Sequence, residues 1–189
     1  SDSELVLLSL SRLSSEKNLD KLVHAFPEVV EAYPSAKLVF VGDGPMRHEL
    51  EALVSEMDLT RNVIFVGEVR NEDVSEYYQM ADIYINASES ETQGLTYLES
   101  IVNGCPVIAK RNDYLSGLIT EDSLGMLFEE DDKIGKTIIA YADFFHSSDV
   151  AINQEVWDEL MQEISSKAFA GAVVSYYQTS IDIYESQPR

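Results

Sequence analysis

Glu91 and Glu99 stand with seven residues between them in the stretch ETQGLTYLES (residues 91–100), and glycine occupies position 94 between the two acids. A helix that opens near Gly94 presents unpaired backbone N–H groups and partial positive charge at its first turn, a setting for a diphosphate. Glu91 falls in the loop just before that turn. Glu99 lies inside the helix, where its side chain leans toward the N-terminus and can reach the same ligand. Carboxylates repel phosphate and accept from hydroxyls. A ligand with both a diphosphate and sugar hydroxyls meets the two requirements at once, which describes a sugar nucleotide.

Spacing by itself carries little, since the same separation recurs at Glu68 and Glu76, at Glu121 and Glu129, and at Glu155 and Glu163. Those pairs read as solvated helix and loop charges. The first pair differs in its flanks, with apolar DIYIN before it and apolar PVIA after it.

The elements that must position such a pair are legible as short apolar runs alternating with amphipathic stretches. ELVLLSLS (4–11), KLVFVG (37–42), NVIFVG (62–67), DIYINA (82–87) and CPVIAK (105–110) predict strands buried on both faces, and LGMLF (124–128) a weaker sixth. Leu19, Leu22, Val23, Phe26, Val29 and Val30 recur at helical spacing. Pro45 opens the next helix, which runs to about Met57, and Asn71 caps a third in which Tyr77, Tyr78 and Met80 are assigned to the core. Strand and helix in strict alternation give the fold class: α/β, a Rossmann-like doubly wound parallel sheet of about six strands with helices on both faces. After about Asp131 the strands stop, and 133–145, 154–167 and 169–184 read as helices broken near His146. The expected organisation is a Rossmann-like domain over 1–146 and C-terminal helices over 147–189 packing on the same domain.

In an open parallel sheet, ligands collect at the carboxyl ends of the strands, where strand order reverses. After the first strand comes SRLSSEKN, with Arg12 and Lys17 in a chain otherwise poor in cations. Arginine suits a diphosphate through its fork of hydrogen bonds, lysine as a point charge. After the second comes GDGP, where Gly42 and Gly44 permit a tight turn and close approach of a ligand. After the third comes GEVRN, whose backbone from Val66 to Val69 is placed to meet a flat base edge. No glycine follows the first strand, so the dinucleotide fingerprint is missing and a nicotinamide enzyme loses its main support. The three histidines, His24, His48 and His146, fall on helices or their ends, away from any nucleophile. The acids at 129–132 are contiguous in a loop and read as a solvated turn rather than a metal site.

Composition narrows the partners. With 189 residues and 45% hydrophobic content the chain can bury a full core. Its 34 acidic and 13 basic residues leave a net charge of -21, which argues against nucleic acid and against this part lying on anionic lipid. One cysteine, Cys105, rules out a disulfide framework within the chain, reads as a small buried hydrophobe and points to a reducing, cytoplasmic compartment. No apolar run approaches the ~18 residues of a membrane span. The start at Ser1-Asp2-Ser3, with no initiator Met, reads as a domain of a longer protein.

Taken together, SRLSSEKN, VGDGP, NVIFVGEV, ADIYINAS and ETQGLTYLESIVNGCPVIA resemble, in order and over residues 6–145, the C-terminal donor-binding domain of retaining glycosyltransferases of the two-domain GT-B fold. That group shares two glutamates separated by seven residues. The resemblance implies that Arg12 and Lys17 hold the donor diphosphate, that Glu99 binds the ribose hydroxyls, and that Glu91 binds a hexose hydroxyl near the reacting carbon. It also implies backbone contacts from Gln93, Gly94 and Leu95 to sugar and phosphate. In such enzymes the nucleotide diphosphate leaves as an acceptor hydroxyl attacks the same face of the anomeric carbon, and neither a metal nor another cofactor is required.

SETQGLTYLES with AKRNDYLSGLI looks, more narrowly, like bacterial 1,2-diacylglycerol glucosyltransferases, which pass glucose from UDP-glucose to a membrane lipid. Gln93 stands where most of the wider group has an aromatic residue, and KRNDYL replaces a glycine-rich segment. Lys110 and Arg111 face either the site or the solvent. The acceptor, and any membrane contact, would belong to an N-terminal domain beyond this sequence, the whole protein being cytoplasmic or peripheral to the membrane. Alone, this chain is expected to bind a uridine nucleotide and transfer nothing. Two other classes stay open: a non-catalytic glycosyltransferase-like subunit whose acidic surface binds a protein, and a UDP-sugar epimerase. Sugar-nucleotide binding tests the first, sugar isomerisation the second.

Overall fold

The computed structural model describes residues 5–88, 95–147 and Gln162. Apart from Gln162, these belong to the first of two compact units, Ser1–Val150. The helices expected over 154–167 and 169–184, and the packing expected for 147–189, otherwise lie outside the described residues, as do Glu91, Gln93 and Gly94.

The elements run β1 (Val6–Leu10), α1 (Leu19–Ala32), β2 (Lys37–Val41), α2 (Arg47–Glu56), β3 (Val63–Gly67), α3 (Val74–Met80), β4 (Ile83–Asn86), α4 (Leu95–Val102), β5 (Val107–Lys110), α5 (Asp113–Leu118), β6 (Gly125–Phe128) and α6 (Ile134–Ser147). All six strands pair in parallel, in the order β3-β2-β1-β4-β5-β6. The chain walks outward one way from β1, then returns to β4 and walks the other way. Strand order therefore reverses between β1 and β4, and the helices of the crossovers cover the sheet.

The apolar runs form the sheet because they can be covered on each side. Leu7, Leu8, Phe40, Ile83, Ile85, Val107 and Ile108 are fully or almost fully buried. Helix α1 turns Leu19, Leu22, Val23, Phe26 and Val29 into that core and packs on α2 and α6. A Cβ on Gly135 would lie 3.0 Å from the Ala25 carbonyl oxygen, so the residue's smallness lets α6 approach α1.

Four expectations need correcting. Strand β3 lies at the sheet edge and is not buried on both faces: Ile64 and Val66 are 44% and 37% exposed. Met80, at the last turn of α3, is exposed, while Tyr78 is buried as expected. Asn71 does not cap α3; it opens a 3-10 turn, Asn71–Asp73, that leads into the helix. Pro45 sits in the turn before α2, which begins at Arg47. Helix α5 was not foreseen, although its signal is present: the Asn112 side chain accepts from the Leu115 N–H at 2.8 Å, an N-cap, and Leu115 and Leu118 face inward.

Candidate functional site

At the carboxyl ends of β1, β2 and β3 the surface opens into a cleft of about 800 Å³. Arg12, Gly42, Gly44 and Val69 line it as expected, together with Leu10, Ser11, Val41, Asp43, Glu68, Asn71 and Val74. The two glycines act differently from the expectation. A Cβ on Gly42 would meet the Ser11 carbonyl oxygen, and one on Gly44 would lie 2.4 Å from that of Leu13. Their bare backbone thus admits the chain that follows β1, which is laced in place by Ser11 N–H to Val41, Leu13 N–H to Asp43 and Met46 N–H to Leu13, at 3.0, 3.0 and 2.9 Å. The result holds Arg12 at the cleft wall with its side chain toward solvent.

Asp43 and Arg47 are functional candidates that sequence reasoning missed. Asp43 Oδ1 accepts from the Gly44 N–H at 2.7 Å, and Arg47 spans to Asp43 at 3.3 Å and to Glu51 at 2.9 Å. The i,i+4 spacing of these charges was the available signal. Arg47 stiffens the acid that lines the cleft, and both acids there, Asp43 and Glu68, are acceptors for hydroxyl or amide donors.

Lys17 does not line this cleft. It ends a 3-10 turn, Ser15–Lys17, on the same loop as Arg12 but nearer β4. Asn18, in the left-handed region at φ 50°, donates from its side chain to the Ala87 carbonyl at 3.2 Å, and Ser88 Oγ donates to the Glu16 carbonyl at 3.3 Å. Lys17 is therefore carried to the switch point between β1 and β4. Beside it, the Ser14 hydroxyl donates to Glu16 at 2.6 Å and, with Lys17 and Arg12 nearby, holds that carboxyl below the usual range. An acid thus tempers the two cations of the loop.

Glu99 lies on α4, exposed and four positions after Leu95, the exposed first residue of the helix. The Tyr78 hydroxyl donates toward its carboxylate at 3.4 Å and toward the Thr96 carbonyl at 3.3 Å. Tyr78 meets Tyr84 edge to face at 5.5 Å, and Tyr84 meets Tyr97 at 6.1 Å, so α3, β4 and α4 share one aromatic core beneath this acid. Burial pushes the Tyr78 phenol well above its ordinary value, which keeps it a donor.

Val66 departs from its expected place. The register of β3 on β2 shifts next to it, its side chain is on the exposed face of the edge strand, and Glu68 and Val69 rather than Val66 line the cleft. Lys110 and Arg111 are drawn to acids: Lys110 reaches Asp131 at 3.1 Å, Arg111 reaches Glu129 at 2.6 Å. Lys21 also reaches Asp131, at 2.8 Å, and Asp132 meets Lys133. Glu129, Asp131 and Asp132 are thereby engaged by cations. Cys105 is buried and its thiol is pushed up to about 12 by desolvation, as an inert small hydrophobe. His24, His48 and His146 are exposed.

The order of motifs and the geometry agree with what this chain matches. Residues 1–143 match the sequence profile of Glycosyl transferases group 1. The chain belongs to this family. Alpha-monoglucosyldiacylglycerol synthase of Streptococcus pneumoniae is 39% identical over 184 residues, covering 95% of this chain and 40% of that protein. The enzyme of the same name from Acholeplasma laidlawii is 31% identical over 172 residues, covering 90% of this chain and 41% of its own. This chain thus spans about 40% of the length of these relatives. The pneumococcal O-GlcNAc transferase GtfA, solved with UDP and GlcNAc, superposes with a TM-score of 0.65 at 21% identity, over 97% of this chain and 36% of that one. That likeness establishes the fold, one Rossmann-like half of the GT-B architecture. No helix among the described residues is long and apolar enough to cross a membrane.

Proposed function

We propose that this chain is the donor-binding half of a retaining glycosyltransferase that moves a hexose, glucose from UDP-glucose, to an acceptor hydroxyl, that of a diacylglycerol lipid. The observation that supports the reading is a cleft beyond β1 and β2 walled by Arg12, with Lys17 on the same loop, which is tied to the end of β4; Glu99 is exposed on α4, the helix that follows β4. Cations there suit a diphosphate and an exposed carboxylate suits ribose. Family membership supports sugar transfer, and the names of the synthases from Streptococcus and Acholeplasma support the glucolipid.

In this reading Arg12 and Lys17 stabilise the charge that grows on the departing diphosphate, which needs no metal when two cations and a helix N-terminus face it. Glu99 holds the ribose. Glu91 binds the hexose near its reacting carbon, with backbone from Gln93, Gly94 and Leu95 beside it. Gly42, Gly44 and Val69 shape the slot for the base. The acceptor, and any contact with a bilayer at the cytoplasmic face, come from a second domain, because a half with a net charge of -21 is repelled by anionic lipid.

Isothermal calorimetry with UDP and UDP-glucose tests the reading. Weak binding without transfer is the expected result for this chain alone. A folded protein that gives no heat with millimolar UDP would overturn it.

A further inference from the structure

Five hydrogen bonds form one network at the ends of β1 and β4, and three of them cross between β1 with its loop and β4 with the residues after it. The Tyr84 hydroxyl donates to the Leu10 carbonyl at 3.4 Å, Asn86 Nδ2 donates to that hydroxyl at 3.3 Å, and Asn86 Oδ1 accepts from the Ser88 N–H at 2.7 Å. Ser88 Oγ then donates to the Glu16 carbonyl, and Asn18 Nδ2 to the Ala87 carbonyl. Tyr84, Asn86 and Ser88 are all under 5% exposed. Polar side chains at such depth persist when their partners are fixed, and the network fixes one loop against the other.

Lys17 stands between the two points of attachment, after Glu16 and before Asn18. The residues on either side are tied to the end of β4, Glu16 through its carbonyl and Asn18 through its side-chain amide. Asn18 supplies more than its amide, for it takes the left-handed conformation that asparagine tolerates better than most side chains. A glycine there would allow the turn without the tie. We infer that Asn18 is a positioning residue that, with Ser88, presets Lys17 at the switch point for the second phosphate of the donor; this rests on the donor-site reading above. Preorganisation acts by removing the ordering cost that a free loop would meet on binding.

The test compares UDP with UMP on the 189-residue protein by calorimetry. Asn18→Gly keeps the left-handed backbone and deletes the amide. Loss of one such tie should weaken UDP by about fivefold. UMP, which lacks the second phosphate, should bind as before. On a Lys17→Ala background Asn18→Gly should change nothing further, since the residue it positions is gone. Ser88→Ala reads the same loop from the β4 side and stands in if Asn18→Gly does not fold. Equal losses for UDP and UMP, losses that add to that of Lys17→Ala, or unchanged UDP binding in both variants would each overturn the positioning role. If the unaltered protein binds neither nucleotide, the donor-site reading itself fails and the inference falls with it, an outcome distinct from the other three.

Discussion

A Cβ placed on Gly42 would lie 2.1 Å from the carbonyl oxygen of Ser11. The end of β2 and the loop after β1 are in backbone contact there, and the loop that carries Arg12 takes its course from that contact. Gly42 also has φ 123°, outside the range of ordinary side chains.

Gly42→Ala should therefore destabilise the protein by ~3 kcal/mol, the sum of collision and backbone strain. Gly104→Ala is the control: it has φ 80° but open space around its Cβ position, so it should cost only ~1 kcal/mol. Urea unfolding of both variants measures the difference. Equal losses would mean that strain alone, without the Ser11 contact, accounts for Gly42.

Arg12→Ala should weaken UDP by tenfold or more, as expected for a charge-assisted hydrogen bond worth ~1.5–3 kcal/mol. Because Arg12 is exposed, the loss should shrink as salt rises from low to molar concentration. Calorimetry across a salt series checks both points. A loss independent of salt would assign Arg12 a packing role instead.

Tyr78→Phe removes the hydroxyl shared between the Thr96 carbonyl and Glu99 while keeping the ring contact with Tyr84. Stability should fall by ~1 kcal/mol. If the phenol also steadies Glu99 for the ribose, UDP affinity should drop a few-fold, and that drop should vanish on a Glu99→Ala background. Denaturation and calorimetry on the four proteins separate the two effects.

Asp131 joins Lys21 on α1 to Lys110 at the end of β5, and its carboxyl is held below the ordinary 3.8, first by the Lys21 hydrogen bond and then by Lys110. A depressed carboxylate stabilises the fold above that ordinary value and loses its effect as pH falls through the folded one. Asp131→Asn should thus be less stable than the parent at pH 7 and equal to it well below pH 3.8. The pair is partly solvated, with 38% of the Asp131 side chain exposed, so the difference at neutral pH should be at most ~1 kcal/mol. Thermal unfolding from pH 7 to well below 3.8 shows whether the curves converge.

The parallel sheet was readable in the sequence because strands covered by helices on both faces are written as short continuous apolar runs. Arg12, Lys17, Gly42 and Gly44 follow β1 and β2 at the carboxyl edge that strict strand and helix alternation predicts, and Glu99 stands on the helix after β4. Family and fold followed from several motifs in a fixed order. Other features depend on which strand sits beside which. Composition does not reveal that β3 is an edge, so the exposure of Ile64 and Val66 and the displacement of Val66 from the cleft came only with the pairing order. The true partners of Gly42 and Gly44 are carbonyls of another loop, and Lys110 and Arg111 are claimed by acids about twenty residues away in the chain. Hydrophobic period is a local property written along the chain, whereas a backbone approach or an ion pair between distant residues exists only once the sheet has brought its loops to one edge.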